Sequence, residues 1–437
     1  MSENKPSAKD TAPTAPGTTS AKRETGKDAR GSGLLFVLAA YGASRLFYLV
    51  AGAVFAKYLP AGPFYLLTPD VPLGRLNIWA HWDGEHYVAL AAGGYLQPPD
   101  NVSPAFFPLY PLLMRSFAEL FGGPLSLGAL SLWGVLISLA ALPFALYFIY
   151  QIALTEWGEQ TARRTILALC FFPTTFFFNA VYTESLFLGL SAASLWAVRV
   201  RKDLLLGCAL AAFASATRNV GVFLVVPLAY EWLKQGGVLR GGAEEEEEGG
   251  YGWGGALGCL ALAPSGLAAY AAYLWLRFGN PSLFYSEQRR WGREATDPLS
   301  TLHNALLQGG ADLRRLFDPR LWSDPSLGRI ADRLGAASDA YNLVLLGVAL
   351  ALLLAGLRVL PLSLSAYAFL LIAPAVFFGK PETPLMAFPR YVLVAFPLFI
   401  TLAVLLKNRR LLGGWLVLSA AASLVLCALF VSWRFVA

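Results

Sequence analysis

The chain is built mainly from long apolar runs that are separated by short polar connections. About eleven such runs lie at roughly 34–57, 125–150, 165–181, 185–198, 204–216, 220–233, 253–278, 340–357, 361–378, 391–406 and 411–433. An apolar run of about 20 residues can cross the hydrocarbon core of a bilayer as a helix. Several runs between 165 and 233 are short and interrupted, which is typical of broken helices that line a polar cavity. The sequence therefore predicts an all-α polytopic membrane protein with about eleven transmembrane helices.

Composition supports this class and argues against two others. Hydrophobic residues make up 56% of the chain and charged residues 14%, whereas soluble proteins average about 45–50% and about 25%. The net charge of +6 comes from Lys and Arg that lie largely between the apolar runs, where membrane orientation requires them, so we expect no nucleic-acid partner. The four cysteines lie in apolar runs without CxxC spacing, which indicates neither a disulfide framework nor a zinc site.

The positions of Lys and Arg also predict orientation. Residues 1–33 contain no apolar run and read as a disordered cytoplasmic tail. Alternation from a cytoplasmic N-terminus places most Lys- and Arg-rich connections on the cytoplasmic side. The outer side then receives the loop 58–124 and a basic, proline-containing segment 279–338, for which we predict a partly helical cap.

A polar and aromatic stretch at 77–87, NIWAHWDGEHY, follows the first apolar run. If this stretch is a helix, its spacing places Trp79, Asp83, His86 and Tyr87 on one face. The same spacing places His81 and Glu85 on another face. The first face offers a carboxylate, an imidazole and aromatic walls, although an interfacial helix with an aromatic belt would have the same composition. A metal site is a lesser alternative because the spacing is not HExxH, so we expect no required cofactor.

Charged residues inside apolar surroundings form a second group of candidates. Glu184 lies between two apolar runs, where an ionised carboxylate is costly without a partner, although it could simply occupy the first turn of a helix. Arg218 and Arg390 lie at the outer ends of apolar runs and could bind a phosphate through a bidentate guanidinium, or could be structural arginines. Arg45 falls within the first run, so it should face the bundle interior and meet an anion.

Four motifs resemble the PIG-V family, which contains the second mannosyltransferase of GPI-anchor synthesis and prokaryotic relatives. The motifs are HWDGEHY at 81–87, FFPLYP at 106–111, YTESLF at 182–187 and ATRNVG at 216–221. The resemblance implies a GT-C glycosyltransferase with amphipathic helices in its first outer loop, in a prokaryotic plasma membrane. It implies a catalytic module over 34–278, C-terminal transmembrane helices over 339–437, and an extracytoplasmic active site that uses a polyprenyl-phosphate sugar. Asp83 matches the catalytic carboxylate of the first outer loop, and Glu85 follows where an acidic pair is often found.

The chemistry of such a transfer is compatible with the residues. A carboxylate activates an acceptor hydroxyl as a general base, and a phosphate leaves as a stable anion, aided by nearby cations. We therefore predict inverting transfer of a hexose, expected to be mannose, to a lipid- or glycan-linked acceptor, with surrounding membrane lipids as further partners. The predicted catalytic residues are Asp83, Glu85 and His86; the phosphate ligands are Arg218, Arg390 and Arg45; and the substrate contacts are Trp79, Trp82, His81, Tyr87, Tyr182 and Glu184.

Two other classes stay open from the sequence. A lipid or sugar transporter would also have broken spans and intramembrane charge, but its polar residues are expected near the midplane and often in paired halves. A non-catalytic membrane scaffold would explain the aromatic belt and the cap without any chemistry.

Overall fold

The computed structural model describes residues 19–62, 77–96, 103–123, 125–236, 252–319 and 326–436, with the backbone alone for 19–30. Seventeen α-helices occur in these ranges. They are α1 (Thr19–Tyr58), α2 (Asp83–Gly93), α3 (Leu109–Leu120), α4 (Leu127–Cys170), α5 (Glu184–Arg199), α6 (Leu204–Thr217), α7 (Val225–Gln235), α8 (Trp253–Leu262), α9 (Ser265–Phe278), α10 (Leu283–Ser286), α11 (Pro298–Leu316), α12 (Leu327–Gly335), α13 (Ser338–Val359), α14 (Leu362–Phe377), α15 (Phe388–Val394), α16 (Phe396–Leu405) and α17 (Arg409–Val431).

Short elements connect the helices. Strands β1 (Glu294–Ala295) and β2 (Phe378–Gly379) pair antiparallel, with Glu294 opposite Gly379. Five 3-10 turns lie in the described residues, at Asn77–Trp79, Ser103–Ala105, Thr175–Asn179, Asn219–Leu224 and Glu287–Trp291. The all-α class predicted from the apolar runs is confirmed, since the strands contribute only this two-residue pair.

Four helices of the described chain are long and apolar enough to cross a membrane: the Gly31–Tyr58 part of α1, then α4, α13 and α17. The bent pairs α8–α9 and α15–α16, with angles of 52° and 73°, bring the number to six if each pair is one span. The prediction of a multi-pass membrane protein is confirmed. The count of about eleven stays a prediction, because α6 and α14 are apolar but shorter.

Two elements differ in detail from the predicted segments. Helix α1 begins at Thr19, inside the segment 1–33, whose assignment as a disordered cytoplasmic tail stays a prediction. Residues 1–18 lie outside the described residues. The apolar runs 125–150 and 165–181 meet in α4, which consists of two helical parts joined by a kink at Gly158, where φ is 78°, and which ends at Cys170.

Helix α5 lies at the centre of the bundle between α4 and α6. Its apolar side chains are almost fully buried, as Phe187, Leu188 and Leu195 show. Small residues allow the neighbouring helices to approach closely. A Cβ on Gly207 of α6 would lie 2.3 Å from Val198 Cγ2 of α5, so a larger side chain there would force the two helices apart.

The described parts of the two outer segments contribute to one end of this bundle. In the loop 58–124 the structure describes α2 and α3, while residues 63–76, 97–102 and 124 lie outside the described residues. The Val181 backbone N–H, just before α5, donates to the Trp79 carbonyl at 2.8 Å and so fixes this loop to the bundle. In the segment 279–338, α10, α11 and α12 are helical, and β1 attaches the segment to the chain that leads into α15.

Candidate active site

A cavity of about 530 Å³ opens where α2, the turn Asn219–Leu224, the segment 285–293 and α15 meet. Charged side chains on its wall are Asp83, Glu85, Arg218, Arg293 and Arg390. Aromatic side chains from all four of these elements also line it. The cavity therefore combines both signs of charge with apolar surface, as ligand sites commonly do.

Asp83 is the first residue of α2, where the helix dipole favours a negative charge. Its Oδ2 accepts a hydrogen bond from Arg390 Nη1 at 2.5 Å, and its side chain remains 35% exposed. Burial alone would raise the pKa of the Asp83 carboxyl, but the charge and the hydrogen bond of Arg390 hold that pKa below its ordinary value. Asp83 is therefore an ionised carboxylate with part of its surface open to the cavity.

Glu184 is the first residue of α5 and is completely buried. Its Oε1 accepts hydrogen bonds from Arg390 Nε at 2.6 Å and from Arg218 Nη1 at 2.8 Å. The prediction that Glu184 needs a partner is confirmed, and two guanidinium groups fill that role. Asp83, Arg390, Glu184 and Arg218 thus form one continuous series of contacts, which we call the ion-pair chain.

Tyr182 supports the ion-pair chain from behind. The Arg390 guanidinium lies 4.5 Å from the centroid of the Tyr182 ring, and the Tyr182 hydroxyl donates to the His81 carbonyl at 3.2 Å. Neither Tyr182 nor Glu184 lies on the cavity wall. Arg390 contacts both residues and itself lines the cavity, so a direct substrate contact by Tyr182 or Glu184 stays a prediction.

Glu85 and His86 lie on the cavity wall, and the catalytic roles predicted for them stay predictions. Glu85 Oε1 is buried and has no hydrogen-bond partner among the described residues, and desolvation raises the pKa of the carboxyl to about 7. The His86 ring stacks on Phe106, with centroids 4.8 Å apart, and meets the edge of Trp291 at 6.0 Å. Burial lowers the pKa of His86, although the Asp83 charge acts in the opposite direction.

Trp82 and Tyr87 line the cavity, whereas Trp79 and His81 do not. Trp79 is 1% exposed and stacks near Phe430. His81 stacks on Trp433 with centroids 3.8 Å apart, and its Nδ1 donates to the Phe430 carbonyl at 3.2 Å. Burial lowers the His81 pKa to about 4, so the ring is neutral.

Trp79 and His81 lie away from the cavity wall because the stretch 77–87 is not one helix, and the substrate roles predicted for them stay predictions. The 3-10 turn ends at Trp79, and α2 begins only at Asp83. Trp82 has a left-handed φ of 59°, which a helix does not allow and which costs a non-glycine residue free energy. Ala387, directly before α15, has a φ of 64° and also lines the cavity. Strained backbone thus lies next to both helices that carry the Asp83–Arg390 ion pair.

Arg45 does not reach the cavity. It is 3% exposed and faces the bundle interior, as predicted, but its Nη1 donates to the Thr175 carbonyl at 2.9 Å and to Asn179 Oδ1 at 2.8 Å. No carboxylate among the described residues contacts it, because the 3-10 turn Thr175–Asn179 supplies neutral oxygens. Arg45 thus ties α1 to this turn, and the phosphate-binding role predicted for it stays a prediction.

Several residues of the cavity wall were not predicted from the sequence. Arg293 is the charged residue among them. Its Nη2 donates to the Met386 carbonyl at 2.6 Å, and its Nη1 donates to the Tyr391 hydroxyl at 3.5 Å. Tyr391 and Trp291 lie beside it on the wall, and Phe435, after α17, forms another side. The cluster RRWGR at 289–293 is a visible signal in the basic segment 279–338.

The described residues do not form a cluster of metal-ligating side chains. No group of three or more His, Cys, Asp and Glu side chains in the described ranges is placed to hold a metal ion. The cavity carboxylates instead face guanidinium groups or, for Glu85, the cavity itself. The expectation of a cofactor-independent site stays a prediction.

Residues 70–235 match the family model of Mannosyltransferase (PIG-V). The resemblance inferred from the four motifs is thereby confirmed over this part of the chain. The matched range contains Asp83, Glu85, His86 and Arg218, whereas Arg293 and Arg390 lie beyond it.

Individual proteins are similar over shorter stretches. GPI alpha-1,6-mannosyltransferase 2 of Homo sapiens is 33% identical over 159 residues, which cover 35% of this chain and 31% of the human protein. GPI mannosyltransferase 2 of Drosophila pseudoobscura pseudoobscura is 33% identical over 132 residues, covering 29% of this chain and 28% of the relative. The chain thus matches less than a third of the length of either relative. The crystal structure of ArnT from Cupriavidus metallidurans bound to undecaprenyl phosphate is 16% identical, with a TM-score of 0.47 over 89% of this chain and 63% of that chain.

Proposed function

We propose that this protein is an inverting membrane glycosyltransferase of the GT-C type. It transfers a hexose, mannose by the family resemblance, from a polyprenyl-phosphate donor to a lipid- or glycan-linked acceptor on the extracytoplasmic side. One observation carries the proposal: Asp83 lies on the wall of a cavity at the end of a membrane helix bundle, among guanidinium groups. The match of residues 70–235 to a mannosyltransferase family supports the sugar class.

Asp83 is suited to act as the general base. Its lowered pKa keeps the carboxyl ionised at neutral pH. Because about a third of the side chain is exposed, a carboxylate oxygen can accept a proton from an acceptor hydroxyl in the cavity. The acceptor oxygen then forms a bond to the anomeric carbon while the bond from that carbon to the phosphate oxygen breaks. The bonding electrons leave with the phosphate, and the configuration at the anomeric carbon inverts.

The remainder of the wall suits a donor with a charged head and an apolar tail. Arg218 and Arg390 line the cavity and can stabilise charge that develops on the departing phosphate. Val220, Phe223 and Phe378 form an apolar side that a prenyl chain could follow. A lipid-borne sugar phosphate would satisfy both kinds of surface, which is why we favour it over a nucleotide sugar.

The proposal is tested by product formation. Purified protein in nanodiscs is incubated with radiolabelled polyprenyl-phosphate mannose and a membrane lipid extract as the source of acceptor, with and without a chelator. We expect labelled product in both conditions. Asp83→Asn should lose about 10²- to 10⁴-fold of the rate, as removal of a general base does.

A matched acidic control separates this effect from a general loss of charge. Glu119 of α3 is exposed and pairs only with Arg115 on the same helix, so Glu119→Gln should keep the wild-type rate. No product from any polyprenyl-phosphate sugar would reject the donor class. Normal turnover by a folded Asp83→Asn protein would reject Asp83 as the base.

A further inference from the structure

The charges around the cavity do not cancel. Arg218 and Arg390 contact Glu184, and Arg390 also contacts Asp83, so two guanidinium groups face two carboxylates. Arg293 is a third guanidinium on the same wall, and its hydrogen bonds go only to the Met386 carbonyl and the Tyr391 hydroxyl. Within the described ranges no carboxylate pairs with Arg293. The site therefore holds one positive charge more than the ion-pair chain balances.

Glu85 removes only part of this excess near neutral pH. It is the remaining carboxyl on the cavity wall, but no described residue hydrogen-bonds its buried Oε1. Desolvation raises its pKa to about 7, so a large part of the population is neutral near that pH. One added negative charge would complete the balance.

Arg218 lies close enough to Arg293 for both guanidinium groups to bind one anion. The Arg218 and Arg293 guanidinium carbons lie 5.7 Å and 5.9 Å from the centroid of the Tyr391 ring, so one aromatic ring is in reach of both cations. Arg218 uses a single terminal nitrogen, Nη1, for its hydrogen bonds to Glu184 and Thr183. Arg293 Nε is buried and has no partner among the described residues. Both side chains thus retain N–H donors for an anion.

We propose that Arg293 and Arg218, both within 6 Å of the Tyr391 ring centre, form the binding site for a phosphate group such as the singly charged phosphodiester of a lipid-linked sugar. Arg390, which also lines the cavity, stays in the ion-pair chain and orients Asp83 in addition to facing the departing phosphate. This assignment rests on the proposed function for its substrate class and deepens it, since it places the phosphate near Tyr391 and the segment 287–293. Planar guanidinium groups suit phosphate oxygens because they offer paired donors.

Binding of short probes tests the site without requiring turnover. The probes are farnesyl phosphate, uncharged farnesol and inorganic phosphate, titrated onto the purified full chain in detergent by isothermal calorimetry. We expect Arg293→Gln to weaken farnesyl phosphate binding roughly 10- to 100-fold, as loss of a charge-assisted hydrogen bond does. Arg293→Lys, which keeps the charge, should recover part of this loss. Farnesol should bind equally to all three proteins.

Arg289→Ala is the matched control, because Arg289 lies in the turn just before Arg293 but is exposed and away from the cavity wall. It should bind farnesyl phosphate as wild type does. Thermal unfolding shows whether each variant is folded.

The outcomes separate this assignment from the proposed function. Unchanged farnesyl phosphate affinity in folded Arg293→Gln protein would overturn the site, whatever the transfer assay shows. Equal affinity for inorganic phosphate and farnesyl phosphate would keep the site but identify free phosphate as its ligand. Charge-dependent binding at Arg293 together with no sugar transfer would keep the site and reject the transferase.

Discussion

The two ends of α5 carry the same kind of chemistry and differ in what surrounds it. At the first residue, Glu184 binds Arg218 and Arg390. At the last residue, Arg199 binds Glu156 of α4 and Glu231 of α7, and it also donates to Ser363 at the start of α14. Each charge has the sign that the helix dipole favours at its end.

The difference lies in the space next to each cluster. The Glu184 cluster adjoins the 530 Å³ cavity, with a further guanidinium and a carboxyl on its wall, whereas the Arg199 cluster does not border it. A buried ion pair is weak evidence for function, because structural networks bury charge as well. A charge cluster is a candidate site when it meets open space that a ligand can enter. By this criterion the Glu184 end is the candidate site, whereas the Arg199 end, where one guanidinium faces two carboxylates away from the cavity, is a structural joint between helices.

Removing the central arginine of each cluster should show the largest contrast. Arg390→Ala leaves Asp83 and Glu184 short of a partner, so we expect a stability loss of about 3–5 kcal/mol and a loss of transfer of at least about 10²-fold. Arg199→Ala should lose similar stability but keep the transfer rate per folded molecule. Thermal unfolding in detergent and the labelled-mannose assay measure the two quantities. Equal rates in the two variants would remove the distinction between the ends.

Neutralising one carboxylate in each cluster is the milder form of the same comparison. Glu184→Gln keeps the shape but frees both arginines from a charged partner, so Asp83 should lose part of its orientation and transfer should fall by about tenfold, the size of about 1.4 kcal/mol. Glu231→Gln at the other end should leave transfer unchanged. Rates normalised to folded protein test this, and a Glu184→Gln enzyme at the wild-type rate would show that the ion-pair chain does not position Asp83.

The expected effect furthest from the transfer rate is the pH dependence of stability that the cavity imposes through Glu85. The folded protein holds a proton on Glu85 up to about pH 7, above the ordinary value of 4.5, so it binds more protons than the unfolded chain between these pH values. Stability should therefore fall as pH rises from about 4.5 to about 7 and then level off. Glu85→Gln should remove this part of the decline. Unfolding temperatures of both proteins at pH 5 and pH 8 measure it, and parallel changes would contradict the pKa.

The sequence predicts the helices and the costly charges well, because both depend on local polarity. Long apolar runs gave α4, α13 and α17, and Glu184, Arg218 and Arg390 stood out since a charge in apolar surroundings needs a partner. Which residue pairs with which could not be predicted from the sequence. Arg390 and Glu184 are 206 residues apart, and their contact depends on how α15 packs against α5.

Physical causes also explain why some predicted site residues lie away from the cavity and why one cavity residue was not predicted. Trp79 and His81 were assigned to the site on the assumption of helical spacing through 77–87, which the left-handed Trp82 breaks. Arg45 was expected to contact an anion, but it donates to carbonyl and amide oxygens of the 3-10 turn Thr175–Asn179. The pattern of apolar residues does not predict such a turn. Arg293 lies in a polar outer segment, where an arginine costs little, so its position on the cavity wall followed only from the tertiary structure.

The left-handed residues Trp82 and Ala387 stand on opposite sides of one ion pair, and this has a consequence for engineering. Each such conformation costs about 1–3 kcal/mol, which tight packing elsewhere must offset. Ala387→Gly would remove this cost at α15 with the loss of a single methyl group, whereas glycine at position 82 would also remove a ring that packs on Trp433 and Phe435. Heat resistance gained at Ala387 would therefore come with a less firmly held Arg390.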